Sequence, residues 1–245
     1  MTRPRIVVLR GHNANVWDLR PLESLADDYD VHALVTGSNL HETASLKLPV
    51  DPVSTPRDKL PAGRAAGAAA YAIGERYLGL EEHLQGAAVV HAAEIGTWFS
   101  AQAARLRARL GFKLVLTAWE TIPGRETYRW PRERRYRAQV LAAADLYLAT
   151  TQRARRALLL EGVPEDRIEI CPPGVGIERF AAATPPAAPP AVHTILSAGR
   201  LVWEKGHQDV LRAVALLRRE RDDVRLVIVG DGPERKTLER YAADL

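Results

Sequence analysis

The chain has 245 residues, enough for one large domain or two small ones, and 47% of them are hydrophobic, which allows a substantial core. The formal net charge of +4 is modest for this length. Cys171 is the sole cysteine, which excludes an internal disulfide and a thiolate metal cluster and suits the cytosol. The longest apolar run near the N-terminus, residues 6–9, is too short for a signal peptide or a membrane span.

Short β-branched runs alternate with amphipathic runs along the first 171 residues, which predicts strands alternating with helices. Predicted strands lie at residues 6–9, 31–35, 88–91, 113–118, 146–149 and 168–171. Predicted helices lie at residues 16–25, 64–77, 97–110, 131–143 and 152–161. The proline-rich residues 39–63 are predicted as a long loop with one short strand near 46–48. This alternation predicts an α/β fold built on a doubly wound parallel sheet.

A proline- and alanine-rich run at residues 181–192 has no amphipathic period and is predicted as a linker. It separates a Rossmann-like domain at 1–180 from a second domain at 193–245, where a strand–helix–strand–helix series begins at Thr194. Two strands seldom bury enough surface to be stable alone. We therefore expect either that the chain is an N-terminal piece of a longer protein or that the second domain leans on the first.

The most informative stretch is residues 197–206, with the sequence S-A-G-R-L-V-W-E-K-G. A short apolar run ends at Gly199, and Gly206 opens an amphipathic run, so Arg200 and Lys205 lie on a strand-to-helix loop. In open α/β sheets such loops bind ligands. A guanidinium and an ammonium group beside a helix N-terminus can bind a diphosphate. Two ordinary surface charges are the alternative interpretation.

Three motifs carry a family resemblance. The sequences G-R-L at 199–201 and E-K-G at 204–206 resemble the donor-site signature of the retaining family 4 glycosyltransferases, which have the GT-B fold. The sequence V-I-V-G-D-G-P at 227–233 resembles the next element of that domain, and C-P-P-G-V-G-I at 171–177, followed by Phe180, resembles the segment closing the first domain. The resemblance is loose over the first 165 residues and close after them.

The resemblance implies a fold and a reaction. It implies an acceptor-binding domain at 1–180 and an incomplete donor-binding domain at 193–245. The co-substrate would be a nucleoside diphosphate sugar, and neither a cofactor nor a metal ion would be needed. The acceptor would be a glycan, a lipid or a small molecule.

The resemblance also implies roles for particular residues. Arg200 and Lys205 would stabilise the leaving diphosphate during catalysis, and Gly199 and Gly230 would line the donor site. His91, at the end of a predicted strand, matches a histidine that faces the donor sugar in family members. A histidine hydrogen-bonded to backbone at a strand end is the alternative.

Two loops of the first domain supply further candidates. Gly11, His12 and Asn13 follow the first strand, where the family often has a glycine-rich loop. Only one glycine is present here, so a plain turn is the alternative to a donor contact by Gly11 and acceptor contacts by His12 and Asn13. Trp119 and Glu120 could bind an acceptor sugar by stacking and hydrogen bonding, although we slightly favour a core tryptophan and a solvated glutamate.

Arginines cluster around residues 128–137, where five of them are interleaved with three aromatic residues. Docking on an anionic membrane and binding of RNA are two explanations. Solvated helix faces are the explanation we favour. We expect a cytoplasmic protein, leave open a peripheral contact with the inner face of the membrane, and disfavour nucleic acid as a partner.

Several common site motifs are missing from the sequence, among them metal-ligand spacings, G-x-G-x-x-G, Walker A and G-x-S-x-G. The family's pair of glutamates, eight positions apart late in the second domain, also has no counterpart here. We therefore expect that this chain alone transfers no sugar. The competing hypotheses are another GT-B enzyme, such as a sugar-nucleotide epimerase or a phosphorylase, and a non-catalytic basic module that binds membranes or RNA.

Overall fold

The computed structural model describes residues 3–60, 68–69, 72–124, 130–177, 181 and 191–245. The chain divides into two compact units, Met1–Gly176 and Ile177–Leu245, called here the first and the second unit. Phe180 and residues 182–190 of the predicted linker lie outside the described residues, as do residues 64–67 and 70–71 of the predicted helix at 64–77.

The first unit is built on a parallel sheet of seven strands in its described part. The strands are β1 (Arg5–Gly11), β2 (Asp30–Thr36), β3 (Val50–Val53), β4 (Ala87–Ala93), β5 (Lys113–Ala118), β6 (Leu146–Ala149) and β7 (Ile168–Ile170). Their order is β3-β2-β1-β4-β5-β6-β7. The order changes direction between β1 and β4, and ligands bind at such a switch point. The predicted doubly wound α/β fold is confirmed.

The central strand β1 is buried on both of its faces. Val7 and Leu9 belong to one hydrophobic cluster, and Ile6 and Val8 belong to the cluster on the opposite side of the sheet. A continuous apolar run is typical of a strand covered on both faces. The core therefore has two layers, one on each face of the sheet. Polar residues follow at the carboxyl end of β1.

Five α-helices of the first unit have defined bounds within the described residues, and capping signals mark several of their ends. They are α1 (Val16–Leu19), α2 (Leu80–Leu84), α3 (Trp98–Leu110), α4 (Pro131–Ala143) and α5 (Gln152–Leu160). Thr97 and Thr151 accept hydrogen bonds from backbone N–H groups in the first turns of α3 and α5. Gly111 ends α3 with a φ of 79°. The predictions for these three longer helices hold to within one residue.

Two predicted elements near the N-terminus need correction. The predicted helix at 16–25 is α-helical only as far as Leu19 and continues as a 3-10 helix over Arg20–Leu25, because Pro21 has no N–H to donate. The strand predicted near 46–48 is wrong, since the strand in this region is Val50–Val53. That strand lies at the edge of the sheet. Proline is tolerated there, because the nitrogen without a hydrogen can face away from the one neighbouring strand.

The region before β4 also differs from its prediction. Residues 74–77, predicted as the end of a helix, are not helical, and Gly74 has a φ of 93° that favours glycine and breaks a helix. The short helix α2 that follows was not expected from the sequence.

The second unit contains the predicted strand–helix–strand–helix series. Strands β8 (His193–Ala198) and β9 (Val224–Val229) pair in parallel, with helix α6 (His207–Leu217) between them and helix α7 (Arg235–Asp244) after them. Val214 of α6 and Leu238 of α7 are buried. The described residues of this unit leave the other face of its sheet open, because Leu196 is 64% exposed and Val229 is 54% exposed.

Candidate active site

Gly11 lies at the carboxyl end of β1 and is fixed by packing. Its φ is 62°, and a Cβ at this position would lie 2.9 Å from Cε1 of Phe99, so the position requires glycine. Its backbone N–H donates to the hydroxyl of Tyr77 (2.9 Å), and that hydroxyl donates to the carbonyl of Leu34 (2.9 Å). Burial raises the pKa of Tyr77, so its hydroxyl stays protonated as this bridge requires.

His91 lies in β4 beside the end of β1 and is buried. Its Nε2 donates to Oγ1 of Thr117 (2.7 Å), and its Nδ1 lies 3.5 Å from Nη2 of Arg10. Arg10 is held in turn by Asp18, whose Oδ2 accepts from Nε at 2.6 Å. Burial and the charge of Arg10 keep the pKa of His91 well below its usual range. His91 is therefore neutral at pH 7, and its two partners, Thr117 and Arg10, could not be predicted from the sequence.

His12 belongs to a polar cluster at the ends of β1 and β2. Its Nδ1 lies 2.9 Å from Oγ1 of Thr36 and 3.3 Å from Oγ of Ser38. Its Nε2 lies 3.8 Å from the carboxylate of Glu75, and its ring lies 5.8 Å from that of Trp98. Burial lowers the pKa of His12, while the charge of Glu75 acts in the opposite direction. A neutral imidazole at this edge can exchange hydrogen bonds with hydroxyl groups.

A cavity of about 230 Å³, called here the edge cavity, opens beside this cluster. Its lining includes His12, Asn13, Glu75, Trp98 and Tyr136. Oε1 of Glu75 is buried and accepts no hydrogen bond from the described part of the chain. A buried carboxylate oxygen in that state can accept a hydrogen bond from a ligand hydroxyl. The structure thus brings His12 and Asn13 to one cavity, whereas Trp119 and Glu120 do not line it.

Trp119 and Glu120 lie in a loop that two carboxylates hold. Oε1 of Glu94 accepts from the N–H groups of Trp119 (2.7 Å) and Glu120 (3.2 Å). Oε1 of Glu120 accepts from those of Thr121 and Ile122, each at 3.0 Å. Trp119 is 46% exposed, so it is not a core tryptophan. Glu94 itself has a φ of 64°, which is uncommon for a residue other than glycine.

In the second unit, backbone hydrogen bonds join the loop after β8, which contains Gly199, to the loop after β9, which contains Gly230 and Gly232. The N–H of Gly199 donates to the carbonyl of Val229 (2.9 Å), and the N–H of Leu201 donates to the carbonyl of Asp231 (2.9 Å). These bonds extend the β8–β9 pairing beyond the ends of both strands. The loop after β8 is therefore anchored along its first three residues.

The glycines of the second motif permit this close approach. A Cβ on Gly230 would overlap the carbonyl oxygen of Gly199 and lie 2.9 Å from its carbon. A Cβ on Gly232 would lie 2.8 Å from the carbonyl carbon of Leu201. Contacts this short do not occur for real Cβ atoms, so both positions require glycine. The close approach of the Gly199 backbone explains why residue 230 is a glycine. A contact between Gly230 and a sugar donor stays a prediction.

Arg200 and Lys205 are exposed at the two ends of the anchored loop. Neither side chain makes a hydrogen bond or an ion pair with the described residues, so both cations are available to an anion. His207, which is buried at the start of α6, holds the loop from inside: its Nδ1 accepts from Oγ of Ser197 (3.0 Å), and its Nε2 donates to the carbonyl of Arg200 (3.2 Å). This role of His207 could not be predicted from the sequence, because it depends on contacts formed only in the fold.

Two features are absent from the described residues, a membrane-spanning helix and a cluster of metal ligands. None of the described helices has both the length and the apolar character needed to cross a bilayer. Within the same residues, no three side chains from histidine, cysteine, aspartate and glutamate converge as metal ligands would.

Solved structures with the same fold cover nearly the whole chain. The Anabaena protein HepE, solved in complex with UDP and glucose, aligns with a TM-score of 0.64 and 13% identity over 98% of this chain and 66% of that one. The UDP-GlcNAc 2-epimerase from Methanocaldococcus jannaschii aligns with a TM-score of 0.56 and 14% identity over 98% and 68%. The fold therefore defines an α/β protein of the GT-B type, a class that includes both glycosyltransferases and epimerases.

Sequence comparison narrows the class to a family. Residues 20–179 match the family described as Glycosyltransferase Family 4, and residues 184–245 match the one described as Glycosyl transferases group 1. The chain belongs to glycosyltransferase family 4. The resemblance carried by its three motifs is confirmed.

Two curated relatives align with part of the chain. The D-inositol 3-phosphate glycosyltransferase of Pseudarthrobacter chlorophenolicus is 36% identical over 112 residues, 42% of this chain and 27% of the relative. The GDP-mannose-dependent alpha-(1-6)-phosphatidylinositol monomannoside mannosyltransferase of Mycolicibacterium smegmatis is 37% identical over 89 residues, 34% of this chain and 23% of the relative. The matches thus span about a quarter of the length of these relatives.

Proposed function

We propose that the protein is a retaining glycosyltransferase that moves a sugar from a nucleoside diphosphate sugar to an acceptor held by the first unit. In this reaction the bond between C1 of the sugar and the diphosphate oxygen breaks, and the diphosphate leaves with the electron pair. An acceptor oxygen forms the new bond to C1 on the same face of the sugar, and its proton passes to the departing diphosphate. Neither a metal ion nor a cofactor takes part.

The observation that carries the proposal is the pair of available cations on the anchored loop of the second unit. A leaving diphosphate gains negative charge in the transition state, and cations fixed in advance stabilise it without reorganisation. Arg200 can bind two phosphate oxygens through its fork, and Lys205 adds a mobile point charge. The loop itself is held by the contacts of Gly199, Gly230 and His207, so the backbone of Arg200 is already positioned.

The acceptor site is proposed at the edge cavity of the first unit. His12, Asn13 and Glu75 line it with hydrogen-bonding groups suited to hydroxyls. Trp119 is proposed to stack on a sugar of the acceptor. Glu120 is proposed to hold the loop that carries Trp119, through its hydrogen bonds with the N–H groups of Thr121 and Ile122. His91, neutral and buried, is proposed to face the donor sugar as a hydrogen-bonding group.

Substitution in the second unit tests the proposal. Arg200→Ala and Lys205→Ala should each lower kcat/KM for transfer by about 10²-fold or more in the full-length protein, the scale for loss of one charge-stabilising group. Lys236→Ala, at an exposed position of α7, is the matched control and should leave the rate unchanged. GDP-mannose and UDP-glucose are the donors to test first, given the names of the relatives. Unchanged kinetics in both loop variants would remove the diphosphate role.

Several parts of the proposal have their own checks. Transfer should persist at full rate in excess EDTA if no metal ion takes part, and the product should keep the anomeric configuration of the donor. Purified residues 1–245 should transfer no sugar, and steady turnover by that protein would contradict this.

In cells the protein should be cytoplasmic, with any membrane contact on the inner face. Salt-dependent binding to RNA with no response to nucleotides would favour a basic binding module instead.

A further inference from the structure

A cavity of about 370 Å³ in the second unit, called here the tryptophan cavity, is lined by residues of α6 and of α7. Its volume falls in the range of about 300–1,000 Å³ that is usual for small-molecule sites. Val202 and Trp203, from the loop between β8 and α6, complete the lining. Arg200 and Lys205 do not line it, so this cavity does not include the cations that are proposed to bind diphosphate.

The tryptophan cavity presents apolar and aromatic groups. Val202 and the buried Leu238 contribute aliphatic groups, and Trp203 and Tyr241 contribute aromatic rings. Trp203 is 71% exposed, although tryptophan is largely buried in most folded proteins. An exposed aromatic ring beside a concave apolar surface is typical of a ligand-binding site. We therefore expect a ligand with an aromatic or apolar body.

Two carboxylates give the lining an excess of negative charge. Asp209 and Glu234 line the cavity, and Arg212 is the one cation among the described lining residues. Within the described part of the chain neither carboxylate forms an ion pair, and Asp209 receives only a distant contact from Nε2 of Gln208 (3.5 Å). Both acids lie at the start of a helix, which favours that helix. Their charges stay available to a cation in the cavity.

We propose that the tryptophan cavity binds a small organic cation with an aromatic or apolar body. The positive group lies near Asp209 and Glu234, and the body contacts Trp203 and the aliphatic groups. Tryptophan is the aromatic side chain that attracts a cation most strongly through its ring face. A nucleotide or a sugar phosphate would be repelled by the two carboxylates. The inference therefore goes beyond the proposed function and does not depend on it.

Calorimetric titration of residues 1–245 at low salt, with three indoles of different charge, tests the inference. Tryptamine carries an ammonium group, 3-methylindole is neutral and indole-3-acetate is an anion, while the ring system is the same in all three. Tryptamine should bind about fivefold more tightly than 3-methylindole, the scale for two partly exposed ion pairs, and indole-3-acetate should bind most weakly. No binding of tryptamine, or equal affinities for the three indoles, overturns the inference.

Substitution of the charged residues locates the site. Asp209→Asn/Glu234→Gln should lower the affinity for tryptamine about fivefold, to that of 3-methylindole. The matched control is Glu220→Gln/Asp222→Asn, which removes the same charge from exposed positions after α6 and should keep the affinity within about twofold. Arg212→Gln removes the opposing charge and should raise the affinity about twofold. Equal losses in the two double variants, or an affinity that does not rise in Arg212→Gln, contradict the proposed site.

Substitution of the exposed ring tests the aromatic contact. Trp203→Ala should lower the affinity for tryptamine about fivefold or more, because both the apolar contact and the attraction of the ring face are lost. The side chain is 71% exposed, so the variant should fold like the parent. Trp130→Ala, at a 63% exposed position of the first unit, is the control and should bind tryptamine as the parent does. Equal effects of the two substitutions would place the bound indole elsewhere and overturn the inference.

Discussion

Gly230 is the residue at which a single methyl group should do the most damage in the second unit. Gly230→Ala would force Cβ against the carbonyl group of Gly199 and push away the loop that carries Arg200. We expect a loss of about 1–3 kcal/mol in the free energy of unfolding, as for other overpacked sites, together with weaker nucleotide binding. Urea denaturation and GDP titration measure the two effects.

Gly174→Ala is the control for this substitution. Its Cβ would meet only Pro21, at an ordinary 3.8 Å, so stability and nucleotide affinity should stay near those of the parent. A Gly230→Ala protein with unchanged affinity would show that the loop can move without cost to binding.

Glu94 offers a separate test of backbone strain. Both Glu94→Ala and Glu94→Gly remove the carboxylate that holds the N–H groups of Trp119 and Glu120. Only the glycine variant also relieves the φ of 64°. We expect Glu94→Ala to be less stable than Glu94→Gly by about 1 kcal/mol, the cost of a left-handed conformation for a residue with a Cβ. Equal urea midpoints for the two variants would mean that the backbone relaxes once the carboxylate is gone.

At the scale of elements, Asp145 joins α3, β5 and the start of β6. Its carboxylate accepts from Nε of Arg107 (2.7 Å), Nζ of Lys113 (3.2 Å) and the N–H of Leu114 (2.9 Å). Burial alone would raise the pKa of Asp145, but these donors outweigh it and lower the pKa to about 2. The charged carboxylate therefore stabilises the fold above the unfolded value near 3.8, and this stabilisation is lost as the pH falls through about 2.

Asp145→Asn should make this contribution measurable. Near pH 6 the variant should be less stable by about 2 kcal/mol, the equivalent of the pKa shift, and the gap should close as the pH falls from 4 to 2. Urea denaturation across this range measures it. The exposed Asp166→Asn is the control and should follow the parent at each pH. A gap for Asp145→Asn that does not change with pH would show that packing, not charge, makes the difference.

Elements with local signals were predictable from the sequence. Strand β5, helix α4 and strand β6 have the predicted bounds, because a short apolar run or a proline in the first turn marks them without help from the rest of the chain. The edge strand Val50–Val53 was missed because Pro52 argues against a strand unless its place at the edge is known. Edge position is a property of the assembled sheet.

The candidate site also contains some residues that could be predicted from the sequence and others that could not. Arg200 and Lys205 could be placed on a loop because glycines mark both of its ends. The partners of His91 could not be found, since Arg10 and Thr117 come from two other strands and meet it only in the parallel register of the sheet.

At the scale of the whole molecule, the two units should differ in stability. The first unit has a two-layered core, whereas the described buried hydrophobic residues of the second are Leu201, Val214, Val224 and Leu238. In a unit of fewer than about 70 residues, a single hydrophobic core rarely supplies more than about 3–5 kcal/mol of stability. We expect residues 1–176 to unfold cooperatively by circular dichroism and residues 177–245 to lack a transition. A sharp transition in the smaller fragment would contradict this expectation.

The central position of β1 also has a consequence for biosynthesis. Of the strands in this sheet, β1 leaves the ribosome first, yet its neighbours are β2 and β4, and residues 37–86 must be added between those two. At 5–20 residues per second, that interval lasts roughly 2–10 seconds. Throughout it, one edge of β1 presents unpaired backbone groups beside apolar side chains, as an aggregation-prone strand does. The nascent chain is therefore most prone to aggregate while β1 is paired with β2 but not yet with β4, before the residues of either proposed substrate site have been assembled.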